Sequence, residues 1–193
     1  MALLDRADSQ LVIVDAQPGF YPPGAAIDRA RLTDAIARVA WLAGVATALG
    51  IPVTLTEEDA SRNGATDPAV LARASGAPVL AKHVFGLADQ PDVLGALQVE
   101  RRQTVVLVGL ETDVCVAQSA LGLLHAGYRV AVVADATFAP GPMQEHGLAR
   151  MRDAGVMILH AKGVYYEWVR TLAEARRFEA THPDLAEPPG FAL

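Results

Sequence analysis

Three residues in this chain are of the types that covalent hydrolysis uses, and two of them are rare. Cys115 is the only cysteine, and Lys82 is one of just two lysines beside 14 arginines. Asp15 closes the apolar run Leu11-Val12-Ile13-Val14, and Lys82 closes the weaker run Pro78-Val79-Leu80-Ala81. Cys115 follows Thr104-Val105-Val106-Leu107-Val108-Gly109 after a short polar stretch, where a helical pattern begins. A thiol can attack a carbonyl carbon, a carboxylate can move the proton, and an ammonium can hold both charges in register. The first backbone N–H groups of a helix are unpaired and carry its positive end, which favours thiolate. Thr112 or Asp113 is placed to cap that helix. Lys82 acts in the same direction, so the pattern predicts a thiol pKa below the usual value of about 8.5. The same N–H groups can receive an oxyanion. Taken singly, Asp15 could cap a loop, Lys82 could be a solvated surface residue and Cys115 a buried small hydrophobe.

These residues need elements that bring them together. Strands are read at 11–15, 52–56, 78–82, 104–109, 128–134 and 156–159, and helices at 29–49, 68–74, 92–99, 114–126, 142–154 and 166–180. The stretch 57–66 reads as polar loop. The strands are continuous apolar runs, the pattern of strands covered on both faces. Alternation of strand and helix predicts an α/β fold with a doubly wound, mainly parallel six-stranded sheet and helices on both faces, a Rossmann-like three-layer arrangement. Ligands in such a sheet bind beyond the carboxyl ends of the strands, where Asp15, Lys82 and Cys115 all fall.

The 193 residues suit one domain, read as 1–182, with a proline-rich arm at 183–193 that is either disordered or packed on a neighbouring subunit. A formal charge of −6 without a basic block argues against nucleic acid or a membrane surface as partner. A lone cysteine excludes an intramolecular disulfide and multi-cysteine zinc. No basic segment leads into a long apolar one, so a cytoplasmic location is expected. Neither a P-loop nor GxGxxG is present. The first strand instead runs into Ala16-Gln17-Pro18-Gly19-Phe20, too bulky for a pyrophosphate to approach.

Four segments in order resemble the isochorismatase-like cysteine hydrolase superfamily, which includes nicotinamidases and N-carbamoylsarcosine amidases. They are Leu11 to Phe20, Ala81-Lys82-His83-Val84-Phe85-Gly86, Gly109-Leu110-Glu111-Thr112-Asp113-Val114-Cys115-Val116 and Gly127-Tyr128-Arg129-Val130-Ala131-Val132-Val133-Ala134-Asp135-Ala136. The resemblance implies a catalytic triad of Asp15, Lys82 and Cys115. It further implies a non-proline cis peptide between Leu110 and Glu111 and an oxyanion hole made by the backbone N–H groups of Glu111 and Cys115. It also implies a homo-oligomer. Nicotinamidases carry a metal-binding Asp-x-His segment after the second strand. Here that region reads Thr56-Glu57-Glu58-Asp59-Ala60-Ser61-Arg62, without histidine, so no metal is expected and nicotinamide is disfavoured. Isochorismatases that cleave a vinyl ether lack the cysteine, so Cys115 points to a C–N bond.

The reading is therefore a cofactor-independent amidohydrolase acting on a small amide through a cysteine thioester. The alternatives are a catalytically inactive relative that binds a small molecule or partner, and a vinyl-ether hydrolase. Gln17, Phe20 and Phe85 are candidate substrate contacts, with turn stabilisation the rival role for Gln17 and core packing the rival for the phenylalanines. Glu111 is expected to pair with a neighbouring cation, or else to read a cationic substrate group. Asp135 is expected to cap a loop.

Overall fold

The computed structural model describes residues 3–190. Six strands form one sheet: β1 (Ser9–Val14), β2 (Val53–Glu58), β3 (Val79–Lys82), β4 (Thr104–Leu110), β5 (Arg129–Phe138) and β6 (Met157–Leu159). Their order is β3-β2-β1-β4-β5-β6 and every pairing is parallel. The eight α-helices among the described residues are α1 (Arg29–Ala48), α2 (Ala60–Asn63), α3 (Pro68–Arg73), α4 (Pro91–Val99), α5 (Ala117–His125), α6 (Met143–Asp153), α7 (Ala161–Val169) and α8 (Leu172–Thr181).

Alternate residues of each central strand face opposite ways, which is why the strands had to be apolar throughout. Leu11 and Ile13 of β1 and Val106 and Val108 of β4 enter a core with α1, α3, α7 and α8. Val12, Val14, Val105 and Leu107 enter a second core with α4, α5 and α6. Tyr165 and Trp168 are buried in the first of these.

Winding proceeds outward from the centre. From β1 the chain winds to β2 and β3, and from β4 it winds to β5 and β6. The loops after β1 and β4 therefore diverge between adjacent strands, which is the crevice such a sheet offers a ligand. Gly109 makes this join possible. It has φ of +114°, and a Cβ there would lie 1.9 Å from the Val14 carbonyl oxygen. No side chain fits where β4 presses on the residue before Asp15. At the same place β4 shifts register against β5, between Leu107 and Gly109.

Several elements depart from the sequence reading. β2 continues to Glu58 and α2 occupies part of the expected loop, because β3 pairs Glu57 with Ala81 and Glu58 with Lys82. β5 continues to Phe138, where Thr137 and Phe138 pair with Gly109 and Leu110 beyond the register shift. The single helix expected at 166–180 is two helices, broken at Arg170 with φ of +65°. Thr171 restarts the helix by accepting the Glu174 N–H. Over residues 183–190 the arm lies against this chain's own first core. Leu185 is buried in the first core, its carbonyl accepts from the Trp41 indole, and the Pro189 carbonyl accepts from Arg38. Residues 191–193 of the arm lie outside the described residues. No helix among the described residues is long and apolar enough to cross a membrane.

Candidate active site

Asp15 stands immediately past β1 in the left-handed region, at φ of +45°. Aspartate tolerates that region better than most side chains. Its N–H donates to the Thr56 carbonyl and its own carbonyl accepts from Gln17. The Thr56 hydroxyl donates to Oδ1 at 2.8 Å, and Lys82 Nζ lies 2.9 Å from Oδ2. Neither Asp15 nor Lys82 has any exposed side-chain surface. Lys82 Nζ also donates to the Val84 carbonyl at 2.7 Å and the Phe85 carbonyl at 3.3 Å, and stands 3.6 Å from Cys115 Sγ.

Cys115 is 3% exposed and belongs to a π-helical turn, Thr112–Val116, that runs directly into α5. The Glu111 carbonyl closes this turn by accepting from the N–H groups of Val114 and Val116. The expected capping by Thr112 or Asp113 is not what holds it. The Thr112 hydroxyl donates instead to Gln144 Oε1 at 2.7 Å, and that oxygen also accepts from Ala139. Gly147 of α6 packs so closely that a Cβ would lie 2.8 Å from the Asp113 Cα. The Leu110–Glu111 peptide is cis.

A fourth functional group joins these three. Glu58 Oε2 lies 3.2 Å from Cys115 Sγ and 3.5 Å from Lys82 Nζ. The sequence pattern places Glu58 in a polar loop. Its legible signal was its place two residues after Thr56 in a continuing extended run, which puts the side chains of Thr56 and Glu58 on one face of the sheet.

The electrostatics overturn one expectation. Burial pushes the Cys115 thiol up, Asp15 adds to this, and Lys82 only partly opposes it, so the resting sulfur is a neutral thiol rather than an activated thiolate. Burial also raises the Asp15 carboxyl, against the pull of Lys82, Thr56 and Cys115. Burial alone would lower Lys82, but Asp15 and Glu58 carry it above its ordinary 10.5 and it stays charged. The ligand atoms of Asp15, Glu58 and Cys115 all lie within 4.8 Å of one another, a spacing that could hold a metal ion. The Lys82 ammonium is already the cation these groups share, and a metal would have to displace it.

The remaining candidates separate. Phe85 is 51% exposed, and its ring centre lies 5.9 Å from Lys82 Nζ, beside the site. Phe20 packs on a separate cluster of Tyr21, Ala35, Leu110 and Phe138. Gln17 is not free to bind a substrate through its amide. Its Nε2 donates to the carbonyls of Glu58 and Gly64, and its Oε1 accepts the Glu58 N–H. Glu111 meets no cation as its hydrogen-bond partner, but takes the Tyr21 hydroxyl at 2.5 Å. Burial, then Glu111, raises the Tyr21 hydroxyl, which stays protonated. Asp135 accepts from the first N–H of α7 and lies 3.6 Å from Arg38, a structural role. A cavity of about 570 Å³ opens on the α1 side, lined by Ala16, Gln17, Tyr21, Leu32, Ile36 and Leu110 among others, and not by Asp15, Lys82 or Cys115.

This fold and this site together define a class of protein, and the chain belongs to it: it is a member of the isochorismatase-like hydrolase family, with the Isochorismatase domain matching residues 9–162. It is 31% identical over 182 residues to isochorismatase domain-containing protein 2A of Mus musculus, covering 93% of this chain and 80% of that protein. YcaC of Escherichia coli, described as an octameric hydrolase of unknown specificity, is similar with a TM-score of 0.82 at 26% identity, covering 96% of this chain and 93% of that one. YcaC of Pseudomonas aeruginosa, solved with hexane-2,5-diol and covalent acrylamide, is similar with a TM-score of 0.82 at 25% identity, covering 95% and 94%.

Proposed function

We propose that this protein hydrolyses a small amide or related C–N bond through a thioester on Cys115, without a cofactor. The observation that carries the proposal is the convergence of a buried thiol, a buried carboxylate and a buried ammonium at the crevice between β1 and β4. Because the resting thiol is neutral, its proton leaves as sulfur attacks the carbonyl carbon. Asp15, whose carboxyl is raised toward the range of a useful acid and base, takes that proton. The tetrahedral oxyanion rests on the backbone N–H groups of Glu111 and Cys115, each donor worth about 2.7–4 kcal/mol in the transition state. The C–N bond breaks as Asp15 returns the proton to the leaving nitrogen. Water, deprotonated by Asp15, then attacks the thioester and releases the acid and the thiol. Lys82 keeps Asp15 aligned and its charge compensated throughout. The covalent acrylamide in the Pseudomonas aeruginosa relative supports a nucleophile within this fold, since acrylamide is an electrophile. A homo-oligomer is likewise inferred, from the octameric Escherichia coli relative.

A panel of small amides, carbamoyl compounds and hydrazides, scored by release of ammonia or amine, tests the proposal. Turnover of a member by the wild type and not by Cys115→Ala is the expected result. Turnover of none, or equal turnover by both, overturns it.

A further inference from the structure

Glu58 takes no part in the reaction as proposed, yet its carboxylate is in contact with the nucleophile. We propose that Glu58 is a specificity-determining residue: it admits neutral or cationic amides and rejects those carrying a carboxylate beside the scissile bond. This rests on Cys115 being the attacking group.

The charge at the site is unbalanced. One ammonium, Lys82, faces two carboxylates, Asp15 and Glu58. Asp15 and Lys82 are 2.9 Å apart with no exposed surface, so they compensate each other out of reach of solvent. The Glu58 side chain is 23% exposed, and its negative charge is the one an incoming molecule meets first. The backbone that carries it is pinned. Its N–H is held by Gln17, its carbonyl accepts from Gln17 and Asn63, and its place in β2 is fixed opposite Lys82. Lys82 stands 3.5 Å from Glu58 but is shared with Asp15, so one negative charge is left over. The Glu111 carboxylate, four residues before Cys115, is held by the Tyr21 hydroxyl. Phe85, exposed beside Lys82, offers an apolar surface suited to an uncharged group.

Two alkylating reagents that differ only in charge read this directly on the full chain. Iodoacetamide and iodoacetate present the same carbon to sulfur. In each the S–C bond forms, iodide leaves with the C–I electron pair, and the thiol proton passes to solvent. The rates at Cys115, followed by intact mass spectrometry, are compared with those of N-acetylcysteine at the same pH. The wild type is expected to favour iodoacetamide about tenfold more than the small thiol does, as one like charge within several ångströms of a largely buried sulfur requires. Glu58→Gln is expected to bring the ratio within about twofold of the small thiol, and Glu58→Asp, which keeps the charge, to retain most of the preference. Should Glu58→Gln not fold, a Glu58→Ala ratio within about twofold of the small thiol is the equivalent result. A wild-type ratio equal to that of the small thiol, or a preference that persists in Glu58→Gln or Glu58→Ala, overturns the proposal. Labelling at the small-thiol ratio removes the selector and leaves the nucleophile standing. A Cys115 that reacts with neither reagent overturns both.

Discussion

Lys82 Nζ lies 2.9 Å from Asp15 Oδ2, and neither side chain reaches solvent. A buried pair of this kind is weak evidence for stability as a pair, but removing one partner strands the other charge in the interior. Lys82→Met is therefore expected to cost about 3–5 kcal/mol, and Asp15→Asn a comparable amount. The double variant should be more stable than their sum predicts, because neither charge is then left behind. Urea denaturation of the four proteins measures this. Additive losses would mean that the two side chains do not depend on each other.

The same pair sets the pH response. Burial raises the Asp15 carboxyl in the folded chain above the 3.8 of the unfolded one. Between those two values the folded protein binds more protons than the unfolded one. The Asp15 contribution to stability is thus greatest below 3.8 and declines as pH rises through its native pKa. Activity has the opposite slope, because the proposed base must be ionised: kcat/KM rises through that native pKa, with its acid-side midpoint above 3.8. Lys82, raised above 10.5, contributes stability that is complete below that value and is lost as pH rises through its native pKa. For Cys115 the alkylation rate should keep climbing past pH 9.0 rather than level off near the usual thiol value of about 8.5. A plateau reached below 9.0 would point to the activated thiolate that the sequence alone suggests.

How far the sequence carries can be seen residue by residue. The apolar runs ending on Asp15 and Lys82 located two members of the site, because strand ends in a parallel α/β sheet face one crevice. Cys115 followed from the strand before it. Glu58 was not legible in the same way, because β2 is extended by its pairing with β3, a long-range contact that hydropathy does not register. The thiol's charge state differs from the sequence expectation for a similar reason. Helix position is local and visible, but burial and a facing carboxylate come from elements far apart in the chain. The break at Arg170 did leave a signal, Thr171-Leu172-Ala173-Glu174, the pattern of a capped helix start.

Gly109 carries a prediction about the join of β1 and β4. Gly109→Ala would place a methyl group 1.9 Å from the Val14 carbonyl oxygen at φ of +114°. Val14 must then move, and Asp15 with it. A loss of more than about 1 kcal/mol in stability is expected, together with a fall in kcat larger than any rise in KM, since the displaced group acts on the proton. Denaturation midpoints and steady-state kinetics measure both. An alanine variant with native stability and kinetics would show that the close approach is dispensable.

Gln17 acts on the site through Glu58. Gln17→Leu removes every bond its amide makes and leaves the Glu58 N–H without its partner, at an expected cost of about 1–3 kcal/mol. With the end of β2 loosened, the preference of Cys115 for iodoacetamide over iodoacetate should weaken, though less than in Glu58→Gln. Unchanged preference in a destabilised Gln17→Leu would make Gln17 a purely structural residue.

The proposed thioester on Cys115 is open to direct capture. An amide that turns over, mixed with the enzyme and quenched in acid within the first turnover, should give a species heavier by the acyl group. Proteolysis should place that mass on the peptide containing Cys115, and Cys115→Ala should neither form it nor hydrolyse the amide while melting at the wild-type temperature. Hydrolysis by Cys115→Ala at the wild-type rate, or an acyl group carried on any other residue, would contradict it.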